Sequence, residues 1–542
     1  MTQNYEEFTE SQIKILHQFV SSTTSNVFVL RNLPEVIKGA LFSRYSRSTL
    51  GLRSLLLKEF IMNEDTSFQE IAGKYSYAEQ NDQMLAIKKA QNFYDRILDG
   101  YGDDSIGELG GAHLAIENIS MLAAKFVEDA RIGGSPLEKS TRYIYFNQKI
   151  HGEYPFYQEP ILMTSAYREL YCSTCNHLFD TYSQLIPELT EIIEQQFPKN
   201  HQISQAAYKA SLRAKVLDCL RGLLPASALT NMGVFGNGRF FETLLQKMQT
   251  QNLAELGDLA KTAHEELSKV IPSFIRRADA EHKYYEKQAE FQEEMEKELQ
   301  QLALNHHEEV GKCSRPGVRL IEYDPNALYR VAGALLFRYS SGSLDQLTAF
   351  AKDLDQEELL RVLDAAAIPR ETRRHKSPRG LEHAEFTFEI LADFGVYRDL
   401  HRHRLLTQER QLLTCHHGYF VPAEIVDTPL EKPYVQAMDQ AKESYKIIAQ
   451  ELPEEAQYIV PMAYNVRWYF RVNLRALQWI CELRSSPAGH PSYRYIAQEM
   501  ARQVCAQEPH FERFFKFVDY EGHDLGRLGQ EIRKQEKLEK RL

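Results

Sequence analysis

Apolar positions recur at helical spacing over much of the first half of the chain. Residues 1–25 predict an amphipathic helix, and Asn32-Leu33-Pro34 predicts a break after it. Mixed helical periodicity continues over 69–98, whereas the Gly- and Asp-rich stretch 100–111 predicts a loop. Residues 116–130 fit a helix, with a strand as the alternative. We therefore expect helices to dominate this half.

Short strands are predicted where β-branched and aromatic residues cluster. They are 141–146 in the first half, and 318–321 and 386–390 in the second. The run 466–484 predicts a helix. Between the halves, 281–312 is dense in Glu, Lys and Gln with few apolar positions, which predicts a long solvated helix. The pattern indicates a helix-rich chain with a few short strands.

Four features of the first half return in the second half in the same order. They are Ala40-Leu41-Phe42-Ser43-Arg44-Tyr45-Ser46 with Ala334-Leu335-Leu336-Phe337-Arg338-Tyr339-Ser340, Asn237-Gly238-Arg239 with Asn473-Leu474-Arg475, the prolines Pro225 and Pro461 twelve residues before each asparagine, and Ile271-Pro272-Ser273-Phe274 with Pro509-His510-Phe511. Recurrence in a fixed order indicates a duplication. We predict two similar domains, 1–280 and 313–542, joined by a charged helical spacer over 281–312.

Composition narrows the classes of function. The 542 residues carry 64 Lys and Arg against 75 Asp and Glu, a net charge of −11, which argues against a general affinity for nucleic acid. No apolar run has membrane-spanning length, and the acidic start of the chain is unlike a signal peptide, so we expect a cytoplasmic protein. The seven cysteines are scattered and predict no disulfide framework. Cys172 and Cys175 form one Cys-x-x-Cys pair, but a zinc site usually needs a second such pair, so no metal site is predicted. The role of these two cysteines stays open.

Two stretches carry candidate binding chemistry. The basic run His401-Arg402-His403-Arg404 must face water or an anion, because burying unpaired charge is costly. Residues 135–143 offer hydroxyls, backbone amides and Arg142, the groups that hold a phosphate. Glu138 in that stretch can accept a hydrogen bond from a sugar hydroxyl or a ring N–H. Taken separately, each stretch fits a solvated surface loop better than a site.

Together, the two stretches resemble the signature of the flavin-dependent thymidylate synthases. That signature is Arg-His-Arg, seven further residues and a serine, with Arg-Tyr shortly after the serine. Arg402-His403-Arg404 matches its beginning, but Leu412 stands where the serine belongs. Ser140 with Arg142-Tyr143 matches its end, but Ala130-Arg131-Ile132 stands where Arg-His-Arg belongs. Each half keeps the part of the signature that the other half has lost.

The resemblance implies one shared site whose two sides come from the two halves. It implies nucleotide-binding roles for Glu138, Ser140, Arg142, Arg221, Arg402 and Arg484. It implies flavin-binding roles for Arg402, His403, Arg404, Glu138, Asn473 and Arg475. Arg484 and Ser140 would touch the reacting pyrimidine and are the catalytic candidates, with Ser140 a ligand rather than a nucleophile, since no base is evident beside it in the sequence.

The losses are sorted by side. The first-half equivalent of Arg484 is Met248, and the second-half equivalent of Arg221 is Gln457. The implied fold class is a helix-rich α+β fold of two tandem domains, each a small sheet packed with helices. Since the family site is shared between subunits of a homotetramer, a homodimer of two-domain chains is the expected assembly, with the site formed either within one chain or between chains.

Several positions depart from the family pattern. Asp399 stands where the family has a nucleotide-binding glutamine, and Trp479 stands where a small polar flavin contact is usual. In the first half only Asp103 and Ser105 stand at the positions of the early flavin-binding His and Thr, and in the second half His375-Lys376-Ser377 is a weak match. A carboxylate at 399 would repel a phosphate or a uracil oxygen, but it could accept a hydrogen bond from an amino group such as that of cytosine.

The function implied by the resemblance is reductive methylation of dUMP at C5. Methylenetetrahydrofolate would supply the carbon, and FAD reduced by NADPH would supply the hydride. Two alternatives stay open: a flavin-dependent methylase of another pyrimidine nucleotide, dCMP or UMP, and a non-catalytic protein that binds a nucleotide or flavin. Random decay would not sort the losses by side, which favours an enzyme.

Overall fold

The computed structural model describes residues 8–61 apart from 26, 27, 34, 46, 47 and 49, residues 107–282 apart from 202, residues 285–306 and residues 315–539. The periodic stretch 69–98, most of the predicted loop 100–111, and the positions Asp103 and Ser105 lie outside these ranges. The chain divides into two compact units. The first takes Met1–Glu117, Ala130–Glu138 and Asn231–Val310, and the second takes Asn118–Asp129, Lys139–Thr230 and Gly311–Leu542.

The described elements of the first half are mostly helices. In chain order they are α1 Glu10–Phe19, α2 Glu35–Tyr45, α3 Leu52–Leu55 continuing into a π-helical turn Leu56–Ile61, β1 Gly111–Ser120, α4 Met121–Asp129, β2 Gly134–Glu138, α5 Pro160–Thr164, α6 Arg168–Gln196, α7 Gln205–Leu220, a 3₁₀ turn Arg221–Leu223, β3 Leu229–Asn237, α8 Gly238–Gln249, α9 Ala254–Ser268, the 3₁₀ turns Pro272–Phe274 and Arg276–Ala278, and α10 Tyr285–Asn305.

The second half has four strands and eight α-helices among its described residues. In chain order they are β4 Gly317–Tyr323, α11 Ala327–Phe337, α12 Leu344–Asp353, α13 Gln356–Ala367, a 3₁₀ turn Arg379–His383, β5 Glu385–Asp393, α14 Phe394–Leu400, β6 Thr407–Arg410, α15 Glu431–Ile448, a 3₁₀ turn Glu455–Ile459, β7 Asn465–Asn473, α16 Leu474–Arg484, α17 Pro491–Gln507, a 3₁₀ turn Pro509–Phe514, and α18 Leu528–Glu539. No described helix combines the length and apolar content needed to cross a bilayer.

The first compact unit contains most of a three-stranded sheet of order β1-β3-β2. β2 pairs antiparallel with β3, from Gly134 opposite Gly236 to Glu138 opposite Met232. α8 begins directly after β3 because the Asn237 side chain accepts a hydrogen bond from the Phe240 backbone N–H at 2.9 Å, an N-cap. The buried residues of α8, including Phe240, fall on its amphipathic face.

The second compact unit contains an antiparallel four-stranded sheet of order β4-β5-β7-β6. Its central pair, β5 and β7, runs in register from Glu385 opposite Asn473 to Asp393 opposite Asn465. Buried aromatic residues alternate along both strands, with Phe388 opposite Phe470. This alternation gives the sheet one apolar face, and α14 and α16 begin where β5 and β7 end.

Two matching segments, one from each half, pair with each other within the second unit. Pro225 lies opposite Pro461 in an antiparallel bridge. The residue after each proline donates its N–H to the carbonyl before the other proline, Ala226 to Val460 and Met462 to Leu224, both at 2.9 Å. Ser227 to Tyr458 and Ala463 to Gly222 repeat the same exchange one step out, again at 2.9 Å. The duplicated segments therefore pack around a local pseudo-twofold axis.

Several sequence predictions agree with the structure. β4 covers 318–321, β5 covers 386–390, and α10 lies inside the predicted spacer with none of its residues buried. α1 occupies only part of 1–25, because Val20 leaves the helix to bridge Leu30.

Three other predictions need correction. Residues 116–130 begin as β1 and become helical only at Met121. Residues 466–484 are strand up to Asn473, since the apolar residues alternate there, and helix only afterwards. Residues 141–146 form a turn rather than a strand. The domain limits at 280 and 312 stay a prediction, because the compact units follow contacts and not the repeat.

Candidate functional site

The basic run 401–404 has two sides. It follows α14, which the Asp393 side chain caps by accepting a hydrogen bond from the Val396 N–H at 2.9 Å. His401 and His403 are buried, whereas Arg402 and Arg404 are exposed. The histidines therefore belong to the packing of the unit, and the two arginines face outward, where they can meet an anion.

His403 receives Arg484 from the end of α16. The Arg484 Nε–H donates to His403 Nε2 at 2.8 Å, so His403 acts as an acceptor and is neutral in this contact. Burial and the neighbouring guanidinium hold the pKa of His403 well below its ordinary value. Burial also lowers the pKa of Arg484. The pair fixes the orientation of the Arg484 guanidinium.

Tyr493, in the first turn of α17, links this side to the first half of the chain. The Arg484 guanidinium lies 5.6 Å from the centroid of its ring, and the Arg142 guanidinium lies 5.5 Å from it. Arg142 Nη1 also donates to the Tyr493 hydroxyl at 3.0 Å. One aromatic ring thus joins arginines from the two halves, and the sequence patterns gave no sign of it.

Arg142 itself is tied to an internal carboxylate. Its Nε and Nη2 donate to the two carboxylate oxygens of Asp218 at 2.6 and 2.7 Å, and Nη2 also contacts the Ala488 carbonyl at 3.4 Å. Burial opposes ionisation of Asp218, but the Arg142 charge outweighs it and holds the pKa of Asp218 well below its ordinary value. Ser140 Oγ accepts a hydrogen bond from the Arg142 backbone N–H at 3.2 Å, which explains the turn at this position.

Arg221 is likewise paired, but it keeps free donors. Its Nη1 donates to Asp399 Oδ2 at 3.0 Å, and its side chain is 5% exposed. Its buried Nη2 has no hydrogen-bond partner among the described residues. Nη2 lies close to Gly395, where a Cβ would come within 2.9 Å of it, so only glycine leaves this space open. Among the described residues, Arg221 therefore has more unused N–H donors for an anion than Arg142 has.

Burial raises the pKa of both carboxylates around Arg221, but their net pKa shifts have opposite signs. Burial opposes ionisation of Asp399, but Arg221, Arg142 and Arg484 keep its pKa well below the ordinary value. For Asp393, burial dominates over Arg221 and raises the pKa to about 6. Asp399 is therefore a fixed negative charge, whereas Asp393 changes charge close to neutral pH.

His490 closes the cluster as a neutral group. Its Nδ1 accepts a hydrogen bond from the Ser492 N–H at 3.2 Å, so the ring proton sits on Nε2, which lies 3.1 Å from the Asp218 carbonyl. Burial, reinforced by Arg221, lowers the pKa of His490 to about 3. We call Arg142, Arg221 and Arg484 with their carboxylates Asp218, Asp393 and Asp399 the arginine cluster. With all three carboxylates ionised, its charges cancel.

The degenerate counterpart of Arg221 is filled. Gln457, its equivalent before Pro461, is buried. Its side-chain oxygen accepts from the Leu413 N–H at 3.2 Å, and its side-chain nitrogen donates to the Glu454 carbonyl at 3.1 Å. Arg410 Nη1 also donates to the Gln457 side-chain oxygen at 3.4 Å, but the duplicated segment itself carries glutamine where the first segment carries Arg221.

Two predicted flavin-binding residues make contacts within the second unit. Asn473 caps α16 by accepting from the Ala476 N–H at 2.9 Å. Arg475 donates to the Ser377 carbonyl at 2.8 Å and pairs with Glu382 at 2.7 Å. The Arg475 contacts order the loop before β5. FAD, the predicted cofactor, carries an anionic diphosphate, and the exposed Arg402 and Arg404 fit it better than Arg475 does.

The remaining predicted residues lie elsewhere. Glu138 is buried at the end of β2, within the first compact unit, opposite Met232. Cys175 is buried, and Cys172 donates to the sulfur of Met163. Among the described residues, no group of three His, Cys, Asp or Glu side chains could hold a metal ion.

Arg370 and Glu482 form a buried ion pair beside the site that the sequence did not indicate. Arg370 Nη1 lies 2.6 Å from Glu482 Oε1, and Nη2 contacts the other carboxylate oxygen. Burial of both partners makes this a structural pair that fixes α16 against the loop containing residue 370.

Comparison with known proteins gives two matches to one family model. The model described as thymidylate synthase complementing protein matches residues 60–273 and 319–510. A UPF0159 protein of Chlamydia pneumoniae is 56% identical over 530 residues, covering 98% of each chain. A UPF0159 protein of Thermoplasma acidophilum is 34% identical over 526 residues, covering 92% of this chain and 98% of its own.

Two flavin-dependent thymidylate synthases are also similar over a shorter span. The enzyme of Clostridium tetani is 27% identical over 231 residues, 38% of this chain and 88% of its own. The crystal structure of ThyX from Helicobacter pylori, complexed with FAD and dUMP, covers 38% of this chain and all of its own at 19% identity, with a TM-score of 0.29. The helix-rich α+β fold class and the predicted resemblance are confirmed, and the two matches are consistent with the tandem arrangement: the chain belongs to the thymidylate synthase complementing protein family.

Proposed function

We propose that the chain is a flavin-dependent thymidylate synthase with one composite site per pair of halves. In the overall reaction, C5 of dUMP loses its proton and gains the methylene carbon of methylenetetrahydrofolate together with a hydride from NADPH. The two carbon–nitrogen bonds of that methylene break, and the folate nitrogens take up the equivalent of the C5 proton and one proton from solvent. The products are dTMP, tetrahydrofolate and NADP⁺. FAD, when bound, would carry the hydride from NADPH to the transferred carbon.

The observation that carries the proposal is the contact of arginines from both halves with one ring. Arg142 and Arg484 lie 5.5 and 5.6 Å from the Tyr493 ring within a single compact unit. The sequence pattern had assigned these arginines to opposite sides of a shared site. Their meeting in one unit supports a site assembled within one chain.

On the nucleotide side, Arg221 would bind the phosphate, since its Nη2 has no partner among the described residues. Arg142 would add one N–H and its positive charge, because most of its N–H groups already bond to Asp218 and Tyr493. Ser140, two residues before Arg142, would be a further ligand, and Glu138 stays a predicted acceptor for a sugar hydroxyl or a ring N–H. This division of labour makes Arg221 the main phosphate contact.

On the reacting side, Arg484 would stabilise the pyrimidine as negative charge develops on its ring oxygen. Its contact with His403 holds the guanidinium in place before reaction, which is where preorganised charge is most effective. Arg402 and Arg404 would hold the anionic part of FAD, with Arg402 also near the nucleotide. Asn473 would support this side by capping α16, and Arg475 would support it by ordering the loop before β5.

One observation favours a second candidate, a nucleotide- or flavin-binding protein without turnover. Asp218 and Asp399 each pair with an arginine that the enzyme would use for the phosphate. If these pairs persist with ligand present, binding would be weak and catalysis absent. The pairing of Asp399 with Arg221 also leaves no observation in favour of dCMP as the substrate.

Release of tritium from dUMP labelled at C5, measured with FAD, NADPH and methylenetetrahydrofolate, tests the proposal. We expect release with dUMP, and loss of at least about a hundredfold in both Arg142→Ala and Arg404→Ala, as for removal of preorganised charge. Arg338→Ala, at an exposed arginine outside the cluster, is the matched control and should keep full activity.

Two results would contradict the proposal. Protein that binds FAD and dUMP but releases no tritium would favour the binding protein. Full activity in Arg142→Ala or in Arg404→Ala would refute the composite site.

A further inference from the structure

The chain continues past the second family match, which ends at residue 510, and folds back on the site. We call residues 519–527 the C-terminal strap. The Asp519 N–H donates to Ser485 Oγ at 3.0 Å, and Gln498 donates to the Asp519 carbonyl at 2.8 Å. Arg494 donates to the Glu521 carbonyl at 2.8 Å. These bonds fasten the beginning of the strap to Ser485, directly after α16, and to α17.

The end of the strap is fixed by a close backbone approach. A Cβ at Gly526 would collide with the carbonyl oxygen of Pro487, so only glycine allows the strap to lie this close. α18 follows directly and packs along α7, the helix that carries Asp218. A cavity between the strap and α7 is lined by Lys215, Asp218 and Arg527 among others. The strap therefore forms one wall of the space beside the arginine cluster.

Arg527 is the strap residue that enters the cluster. It is 6% exposed. Its Nη1 donates to the Arg142 carbonyl at 3.3 Å, its Nη2 lies 3.9 Å from Asp218 Oδ1, and its guanidinium stacks 4.2 Å from the centroid of the Tyr143 ring. Its Nε is buried and has no hydrogen-bond partner within the described part of the chain.

Burying the Arg527 charge at this position destabilises the folded chain when no ligand is bound. Burial and the neighbouring Arg142 both lower its pKa, because a second cation is brought beside the first in a poorly solvated place. Asp218 compensates only partly, since both of its oxygens already accept short hydrogen bonds from Arg142. A bound anion would offset the cost of burying a cation that lacks a full partner.

Charge accounting points the same way. Without Arg527, the three arginines of the cluster face three carboxylates, and the buried charge sums to zero once Asp393 is ionised. Arg527 adds one positive charge and shares Asp218 with Arg142. Sharing that carboxylate weakens its cancellation of Arg142, so the Arg142 charge is felt by a ligand on the other side.

We propose that Arg527 is a positioning residue for the nucleotide phosphate, acting through Asp218 and Arg142. The strap thereby supplies the excess positive charge that the cluster would otherwise lack. This inference rests on the proposed function for the identity of the ligand, dUMP. It assigns a binding role to a segment that lies beyond the family match.

The test compares binding of dUMP and of uncharged deoxyuridine to the full chain by calorimetry. Arg527→Gln should weaken dUMP binding by about tenfold, the order expected when a unit charge close to a partly buried anion is removed. Arg527→Lys keeps the charge and should stay within about threefold of the unmodified chain. Deoxyuridine binding should be the same in all of them. Arg533→Gln removes an equal charge from an exposed position of α18 and is the matched control.

The outcomes separate this inference from the proposed function. A tenfold loss confined to dUMP, rescued by lysine, supports it even if no dTMP is ever made. Equal dUMP affinity in Arg527→Gln overturns it while leaving the enzyme reading intact. Equal losses for dUMP and deoxyuridine, or for Gln and Lys, would mean that Arg527 acts only in packing. Failure of the unmodified chain to bind dUMP overturns both proposals.

Discussion

Replacing Asp399 by asparagine separates repulsion from recognition at the phosphate side. In the described structure the Asp399 carboxylate lies 3.0 Å from Arg221 Nη1, on the guanidinium that we expect to bind the phosphate. Asparagine keeps a side-chain oxygen to accept that hydrogen bond but removes the charge. If the site binds a phosphate, the variant should bind dUMP more tightly than the unmodified chain.

The size of the effect follows from the geometry. A phosphate on the other side of the Arg221 guanidinium would lie about 7 Å from the Asp399 carboxylate, where two unit charges repel by about 2 kcal/mol at an effective dielectric constant near 20. That repulsion corresponds to roughly 30-fold in Kd. Asp399 is 19% exposed, so solvent reduces the effect, and we expect a gain of about tenfold.

Calorimetric titration with dUMP gives the Kd, and thermal unfolding measures how much the substitution destabilises the chain. Without ligand, the variant should unfold at a lower temperature, because Arg221 is left buried with a weaker partner, and dUMP should restore part of the loss. Asp353→Asn removes the same charge from an exposed helix end and should change neither quantity. Unchanged or weaker dUMP binding in Asp399→Asn would refute the placement of the phosphate at Arg221.

Two further predictions concern buried charges near the site. Sulfate does not titrate near pH 6, so any pH dependence of its binding comes from the protein. The affinity for sulfate should rise as the pH falls through about 6, because Asp393 takes up a proton and no longer repels the anion. Asp393→Asn can still cap the helix and should remove this pH dependence, and a pH dependence that persists in the variant would come from another group. Glu482→Gln should lower the free energy of unfolding by about 3 kcal/mol, because it leaves Arg370 buried with no ionised partner. Urea denaturation measures this free energy. The control is Glu499→Gln, which breaks a half-exposed pair and should lower the free energy of unfolding by less than about 1 kcal/mol. Equal losses in the two variants would contradict the reasoning.

Local patterns predicted the elements that depend on local sequence. The strand over 386–390 and the solvated helix inside 281–312 follow from periodicity and charge, which act over a few residues. The error over 466–484 had a visible remedy, since Val466, Trp468 and Phe470 alternate as in a strand and Asn473 is a strong N-cap.

The partners of the site arginines could not be predicted, because they depend on tertiary contacts. Asp218 follows Arg142 by 76 residues, and Asp399 follows Arg221 by 178, with no pattern linking either pair. Asp399 was singled out only as a departure from the family, and its role as the partner of Arg221 came from the structure. Tyr493 and Arg527 carried no signal of a role at the site.

The number of dUMP molecules bound per chain tests the central claim most directly. Equilibrium dialysis at saturating dUMP should give one molecule per chain. A second site would lack both arginines, because Gln457 stands at the position equivalent to Arg221 and Met248 at the position equivalent to Arg484. Arg221→Ala alone should remove that binding. Two molecules per chain, or one that persists in Arg221→Ala, would contradict a single composite site built from the two halves.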